Sequence, residues 1–179
     1  VWEIKRSSDG GVSGTQFGFA TDKPVRGDFD GDGLNDIAVY RPSNGVWYVQ
    51  KSNGSGFIII QFGISEDIPI AGDFDGDGKA DIAVFRPSTG VWYWINSANG
   101  SVGIIQWGIN GDKPIAGDFD GDGKTDLTIY RPSTGVWWIY NTDSQTYQAR
   151  QFGIAEDIPI AGIYDGDNKT DIAVYRPST

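Results

Sequence analysis

Asp28-Phe29-Asp30-Gly31-Asp32-Gly33-Leu34-Asn35-Asp36 returns as Asp73-Phe74-Asp75-Gly76-Asp77-Gly78-Lys79-Ala80-Asp81, again over residues 118–126, and in altered form over residues 163–171, each 45 residues after the last. Self-similarity at a fixed period of this size marks a repeat architecture, in which one supersecondary unit buries its apolar faces only against its neighbours. The 179 residues read as one repeat domain, 1–179, with modules at 24–68, 69–113 and 114–158 and half-modules at 1–23 and 159–179.

The acidic stretch carries its own chemistry. Carboxylates at its first, third, fifth and ninth positions, with Gly at the sixth, are how a short loop wraps a hard cation. Alternate side chains converge while the Gly turns the backbone. Ca²⁺ takes about 6 to 8 oxygen ligands, one commonly a backbone carbonyl at the seventh position. The expected ligands are therefore Asp28, Asp30, Asp32 and Asp36 with the carbonyl of Leu34; Asp73, Asp75, Asp77 and Asp81 with that of Lys79; and Asp118, Asp120, Asp122 and Asp126 with that of Lys124. The first half of the loop matches an EF-hand, but no Glu follows at the twelfth position, and the flanks read as strands rather than helices. A single Asp-Gly run is commonly a solvated turn; three intact copies in register favour metal. In the fourth copy Ile163 replaces the first ligand and Asn168 the turn Gly. Asp165, Asp167 and Asp171, with the carbonyl of Lys169, are thus expected to form a weak site, while Asn tolerates the left-handed turn.

Charge agrees with this reading. The net charge is −10, and of the 24 acidic residues each of the first three loops holds four and the fourth holds three. Crowded carboxylates oppose folding until a cation neutralises them. The 14 Lys and Arg are scattered, so no basic face for nucleic acid is visible. There is no Cys, His or Met, and no stretch apolar enough to span a membrane. The chain opens on Val1 with neither an initiator Met nor a signal segment, and is expected to be a mature, excised or truncated form. Calcium loops in place of disulfides suit an extracellular or cell-surface setting, where millimolar Ca²⁺ fills weak sites.

Each module reads as four short strands, in the second copy over residues 69–74, 81–86, 91–95 and 102–107, at the spacing of all-β proteins. The second and third are joined by Arg86-Pro87-Ser88-Thr89-Gly90, with Pro opening the turn and Gly closing it. The third and fourth are joined by a variable stretch, residues 51–56 in one copy and 141–150 in another, expected as an exposed loop. Both faces of the strands are apolar: Trp92 and Trp94 oppose Val91, Tyr93 and Ile95, and Ile82 and Val84 oppose Ala83 and Phe85. A sheet with one wet face would alternate. Four-stranded sheets buried on both faces at this period suit the blades of a β-propeller, with Trp2, Trp47, Trp92 and Trp137 as packing between blades.

These modules resemble FG-GAP repeats of the bacterial VCBS type, related to the integrin α-subunit propeller. The resemblance rests on Phe17-Gly18, Phe62-Gly63, Trp107-Gly108 and Phe152-Gly153, on the Asp loops, and on the Arg-Pro-Ser runs at Arg41, Arg86, Arg131 and Arg176. It implies a propeller with Ca²⁺ in the loop between the first two strands of each blade.

The half-modules are complementary: residues 1–4 read as a third strand, and the last module stops after its second. The expected fold is all-β, a propeller of four 45-residue, four-stranded blades with one blade completed from both chain ends; the alternative is a larger intermolecular ring or a filament. Without His or Cys, and with every clustered Asp explained by metal, no catalytic set is expected. The expected function is a calcium-stabilised extracellular scaffold for adhesion or protein interaction, open to self-association. The alternative is a lectin using aromatic clefts between blades, with Trp138, Tyr48 and Tyr147 as candidates.

Overall fold

The computed structural model describes residues 1–177. Among them there is no helix; the elements are β1 (Trp2–Lys5), β2 (Val12–Thr15), β3 (Lys23–Gly27), β4 (Asp36–Arg41), β5 (Val46–Gln50), β6 (Phe57–Gln61), β7 (Ile68–Gly72), β8 (Asp81–Arg86), β9 (Val91–Ile95), β10 (Val102–Gln106), β11 (Lys113–Gly117), β12 (Asp126–Arg131), β13 (Val136–Asn141), β14 (Thr146–Gln151), β15 (Ile158–Pro159) and β16 (Val174–Tyr175). They form three four-stranded antiparallel meanders, β3 to β6, β7 to β10 and β11 to β14, and two separate hairpins, β1–β2 and β15–β16.

Register repeats with sequence. Tyr40 lies opposite Trp47, Phe85 opposite Trp92, and Tyr130 opposite Trp137. These aromatic pairs are wholly buried, and each indole donates to a carbonyl just beyond the fourth strand, Phe62, Trp107 or Phe152, at 2.8–3.1 Å. The central strands β4, β8 and β12 are buried along both faces because a neighbouring sheet lies on each side. One apolar cluster joins Val25, Phe29, Tyr40 and Trp47 of the first meander and its Asp loop to Ile82 and Val84 of the second. Another joins Ile70, Phe74, Phe85 and Trp92 of the second meander and its Asp loop to Leu127 and Ile129 of the third. The innermost strands β3, β7 and β11 are in contact, so the sheets stack in chain order.

Two expectations are corrected. The blade to be completed from both ends is not joined: β1–β2 and β15–β16 remain separate sheets, the former against the first meander, where Trp2 shares a cleft with Phe19, Pro24 and Val39. Trp2 is accordingly only half-buried, unlike its three counterparts. The variable stretch 141–150 is largely a hairpin rather than a loop. Asn141 pairs with Thr146, and Gln145 takes a positive φ of 56°, so the turn is confined to the residues between them.

Candidate metal centre

Each Asp loop links the first strand of a meander to its second and is tied by its own carboxylates. Asp28 accepts the N–H groups of Gly31 and Gly33, both at 2.7 Å; Asp30 accepts that of Asp32 and Asp32 that of Leu34. Asp73 and Asp118 repeat the pattern on Gly76 and Gly78, and on Gly121 and Gly123. The sixth-position glycines take φ of 85–87°, a region closed to most side chains. Asp36, Asp81 and Asp126 are buried. One oxygen of each accepts the N–H of Phe29, Phe74 or Phe119, and the other the N–H of Ser52, Ser97 or Thr142 in the turn after the third strand.

Carboxylate oxygens of Asp28, Asp30 and Asp32, of Asp73, Asp75 and Asp81, and of Asp118, Asp120 and Asp122 come within 4.8 Å of one another and could hold a metal ion. Each tight group thus draws in three of the four expected carboxylates, leaving out Asp36, Asp77 and Asp126. Their hydrogen bonds do not explain which is left out. Asp165, Asp167 and Asp171 are not drawn into such a group among the described residues.

The electrostatics fit a cation. Asp30 Oδ2 is buried without a hydrogen-bond partner, and desolvation together with the charges of Asp36, Asp32 and Asp28 pushes its carboxyl upward. Burial pushes Asp81 and Asp126 up to about 6, against the N–H donors that favour their charged forms. For Asp28 the balance reverses: burial raises it, but the N–H groups of Gly33 and Gly31 hold it below the ordinary value. An unpartnered buried carboxylate oxygen beside like charges is a strained arrangement that a hard cation relieves.

The loops also dock on one another. Ala80 N–H donates to the Asp28 carbonyl, Thr125 to Asp73 and Thr170 to Asp118, each at 2.6 Å. The stems of Lys79, Lys124 and Lys169 lie over Gly31, Gly76 and Gly121 of the preceding loop. Ordering one loop therefore orders the seat of the next.

Sequence reading missed two recurring partners. Ser52 and Ser97 add hydroxyl bonds to Asp32 and Asp77 at 2.7 and 2.8 Å. At the opposite end of the sheets, Arg41, Arg86, Arg131 and Arg176 each clamp a buried carboxylate, Asp22, Asp67, Asp112 and Asp157, through two parallel bonds of 2.8–3.0 Å. These guanidiniums hold Asp22 and Asp157 below the ordinary carboxylate range. The signal was present as an Asp and an Arg 19 residues apart in every module.

Of the lectin candidates, Trp138 and Tyr147 line an open cleft of about 300 Å³ with Trp107 and Arg131, while Tyr48 lies under the Arg41 guanidinium.

The FG-GAP-like repeat family matches residues 28–84 and again residues 73–129, each span running from one Asp loop into the second strand of the next module. A comparison with curated proteins finds no match to the chain.

Proposed function

Since this chain belongs to the FG-GAP-like repeat family, we propose that it is a calcium-stabilised, non-catalytic interaction scaffold whose sheets are blades of a β-propeller. The observation that carries the reading is the convergence of three carboxylates in each intact loop, reinforced by the orphaned Asp30 oxygen. Ca²⁺, when bound, supplies the positive charge that these oxygens lack. Asp28, Asp30, Asp32 and Asp36 with the Leu34 carbonyl would hold the first ion, Asp73, Asp75, Asp77 and Asp81 with that of Lys79 the second, and Asp118, Asp120, Asp122 and Asp126 with that of Lys124 the third, Asp36, Asp77 and Asp126 joining the carboxylates already grouped. Ca²⁺ is preferred to Mg²⁺ because a nine-residue carboxylate loop supplies many oxygens in flexible geometry.

The residues themselves transmit the effect. Asp36, Asp81 and Asp126 fasten the loop to the second and third strands, and the N–H groups of Ala80, Thr125 and Thr170 carry that order to the neighbouring module. The scaffold would present the exposed turns beyond the third strands to its partners, in an extracellular setting that keeps modest sites filled. Melting with and without chelator tests this. Removal of Ca²⁺ should lower the midpoint and re-addition restore it; an unchanged midpoint with no ion bound overturns it.

A second reading, sugar binding, is favoured by the cleft of Trp107, Trp138, Tyr147 and Arg131. Its flat aromatic faces and one cation suit stacking on a saccharide. Retention on a glycan array, lost in Trp138→Ala, supports it; an empty array removes it.

A further inference from the structure

We infer that the calcium sites of neighbouring modules are coupled, through a relay of two peptide groups that runs from an expected ligand of one ion to a carboxylate of the ion before it. The inference rests on the calcium reading above and adds how the sites act on one another. The relay is plainest between the third loop and the second. Thr125 N–H donates to the Asp73 carbonyl at 2.6 Å, and Phe74 N–H donates to Asp81 Oδ2 at 2.7 Å. One planar, conjugated peptide group joins the carbonyl of each residue to the N–H of the next. The first bond therefore comes from the peptide whose carbonyl, that of Lys124, is an expected ligand of the third ion. The second comes from the peptide whose carbonyl has just accepted the first. The carboxylate that receives it, Asp81, is buried and shares a tight group with Asp73 and Asp75.

The same two steps recur at the other junctions. Ala80 N–H reaches the Asp28 carbonyl at 2.6 Å and Phe29 N–H reaches Asp36 Oδ2 at 2.7 Å; Thr170 N–H reaches the Asp118 carbonyl at 2.6 Å and Phe119 N–H reaches Asp126 Oδ2 at 2.9 Å. Peptide groups bonded head to tail polarise one another. A cation on the Lys124 carbonyl draws electron density from its peptide and makes Thr125 N–H a stronger donor. Through the Asp73–Phe74 peptide it then tightens the bond that holds Asp81 ionised and in place. Each oxygen of Asp81 keeps a lone pair for its own ion. Repulsion between the two cations opposes this, but the carboxylates around each one screen it. Filling one site thus favours its neighbour, and linkage makes the gain mutual. Contact runs only between adjacent modules, so the second site has two coupled neighbours among the intact loops, and the first and third have one each.

Asp30→Ala and Asp75→Ala, which remove the same ligand position from the first and second loops, provide the test. Calorimetric titration with Ca²⁺ should show cooperative filling in the unaltered chain. Asp75→Ala removes the middle link, so its two remaining sites should fill independently, each about fivefold or more weaker than before. Asp30→Ala should leave two sites that still fill cooperatively. Amide NMR of Asp30→Ala reads the relay itself. Phe29 N–H, in a loop stripped of a ligand, should move downfield as the second site fills, and should stay in place when Asp75→Ala is added to the same chain. Independent filling in the unaltered chain, or a stationary Phe29 signal in Asp30→Ala while ions bind, overturns the coupling and leaves the calcium sites standing. A chain that binds no ion overturns both.

Discussion

The loop of the second module and that of the last half-module dock in the same way and share the N–H bonds to their third, fifth and ninth positions, but differ in burial and at the first position. Thr125 N–H reaches the Asp73 carbonyl as Thr170 N–H reaches that of Asp118, both at 2.6 Å. Yet Phe74 is buried where Tyr164 is 63% exposed, and Asp73 gathers the N–H groups of Gly76 and Gly78 where Ile163 has no side-chain acceptor to offer. The loop therefore has two separable duties, seating itself on the preceding module and gathering carboxylates. The last copy keeps the first and has lost the second. The seat matters here because it covers a face of the third meander.

Substitution should widen the difference most in the core. Phe74→Ala removes a ring packed between two sheets and should cost about 3–5 kcal/mol, read from chemical denaturation, whereas Tyr164→Ala should stay within about 0.5 kcal/mol. Equal losses would mean that the last half-module is as tightly covered as the others. The Arg clamp comes next. Arg86→Ala leaves Asp67 charged and buried, and should cost about 3 kcal/mol. Arg176, whose side chain is 41% exposed, clamps Asp157 with water at hand, so Arg176→Ala should cost clearly less.

Acidity separates the loops more gently. In metal-free protein the folded-state values of Asp81 and Asp126, about 6 against an ordinary 3.8, mean that the native state binds more protons than the unfolded chain between those limits. Stability from these groups rises as pH falls from about 6 toward 4 and is lost as pH rises through about 6. Asp22 and Asp157, held low by their arginines, act oppositely, and their contribution is lost only as pH falls below the ordinary carboxylate value. Denaturation of chelated protein across this range should show the gain, and Asp81→Asn with Asp126→Asn should flatten it. The smallest change is expected at Asn168, whose φ of 61° suits glycine better. Asn168→Gly should stabilise by at most about 1 kcal/mol and restore no ion, since the missing ligand is at Ile163.

The period, the strands and the clustered Asp residues were legible because each is a local signal repeated in register. Strands β8 and β9 fall where alternation and the Pro-to-Gly turn put them. The left-handed Asn168 was legible too, from its place in the pattern. What was not legible is carried by backbone or by distance. The bond from Ala80 to Asp28 uses an N–H and a carbonyl that every residue has, so no side chain announces it. The Asp67–Arg86 clamp joins residues in different strands, and its Asp was overshadowed by the denser Asp loop that follows. The stretch 141–150 reads as a loop because it varies between copies, whereas Asn141 and Thr146 pair through their backbones whatever their side chains. Complementary half-modules were visible in the residues, but complementarity does not bring two edges together, and among the described residues β1–β2 and β15–β16 are separate sheets.

The proposal that the three intact loops bind Ca²⁺, and the altered one weakly or not at all, stands or falls on a count of ions. Calorimetric titration of the chelated, dialysed chain with Ca²⁺ measures this directly. It should count one strong site for each of the three carboxylate groups, with one site lost in Asp73→Ala and none lost in Asp165→Ala. No heat of binding, or four equivalent sites with one of them lost in Asp165→Ala, would contradict it.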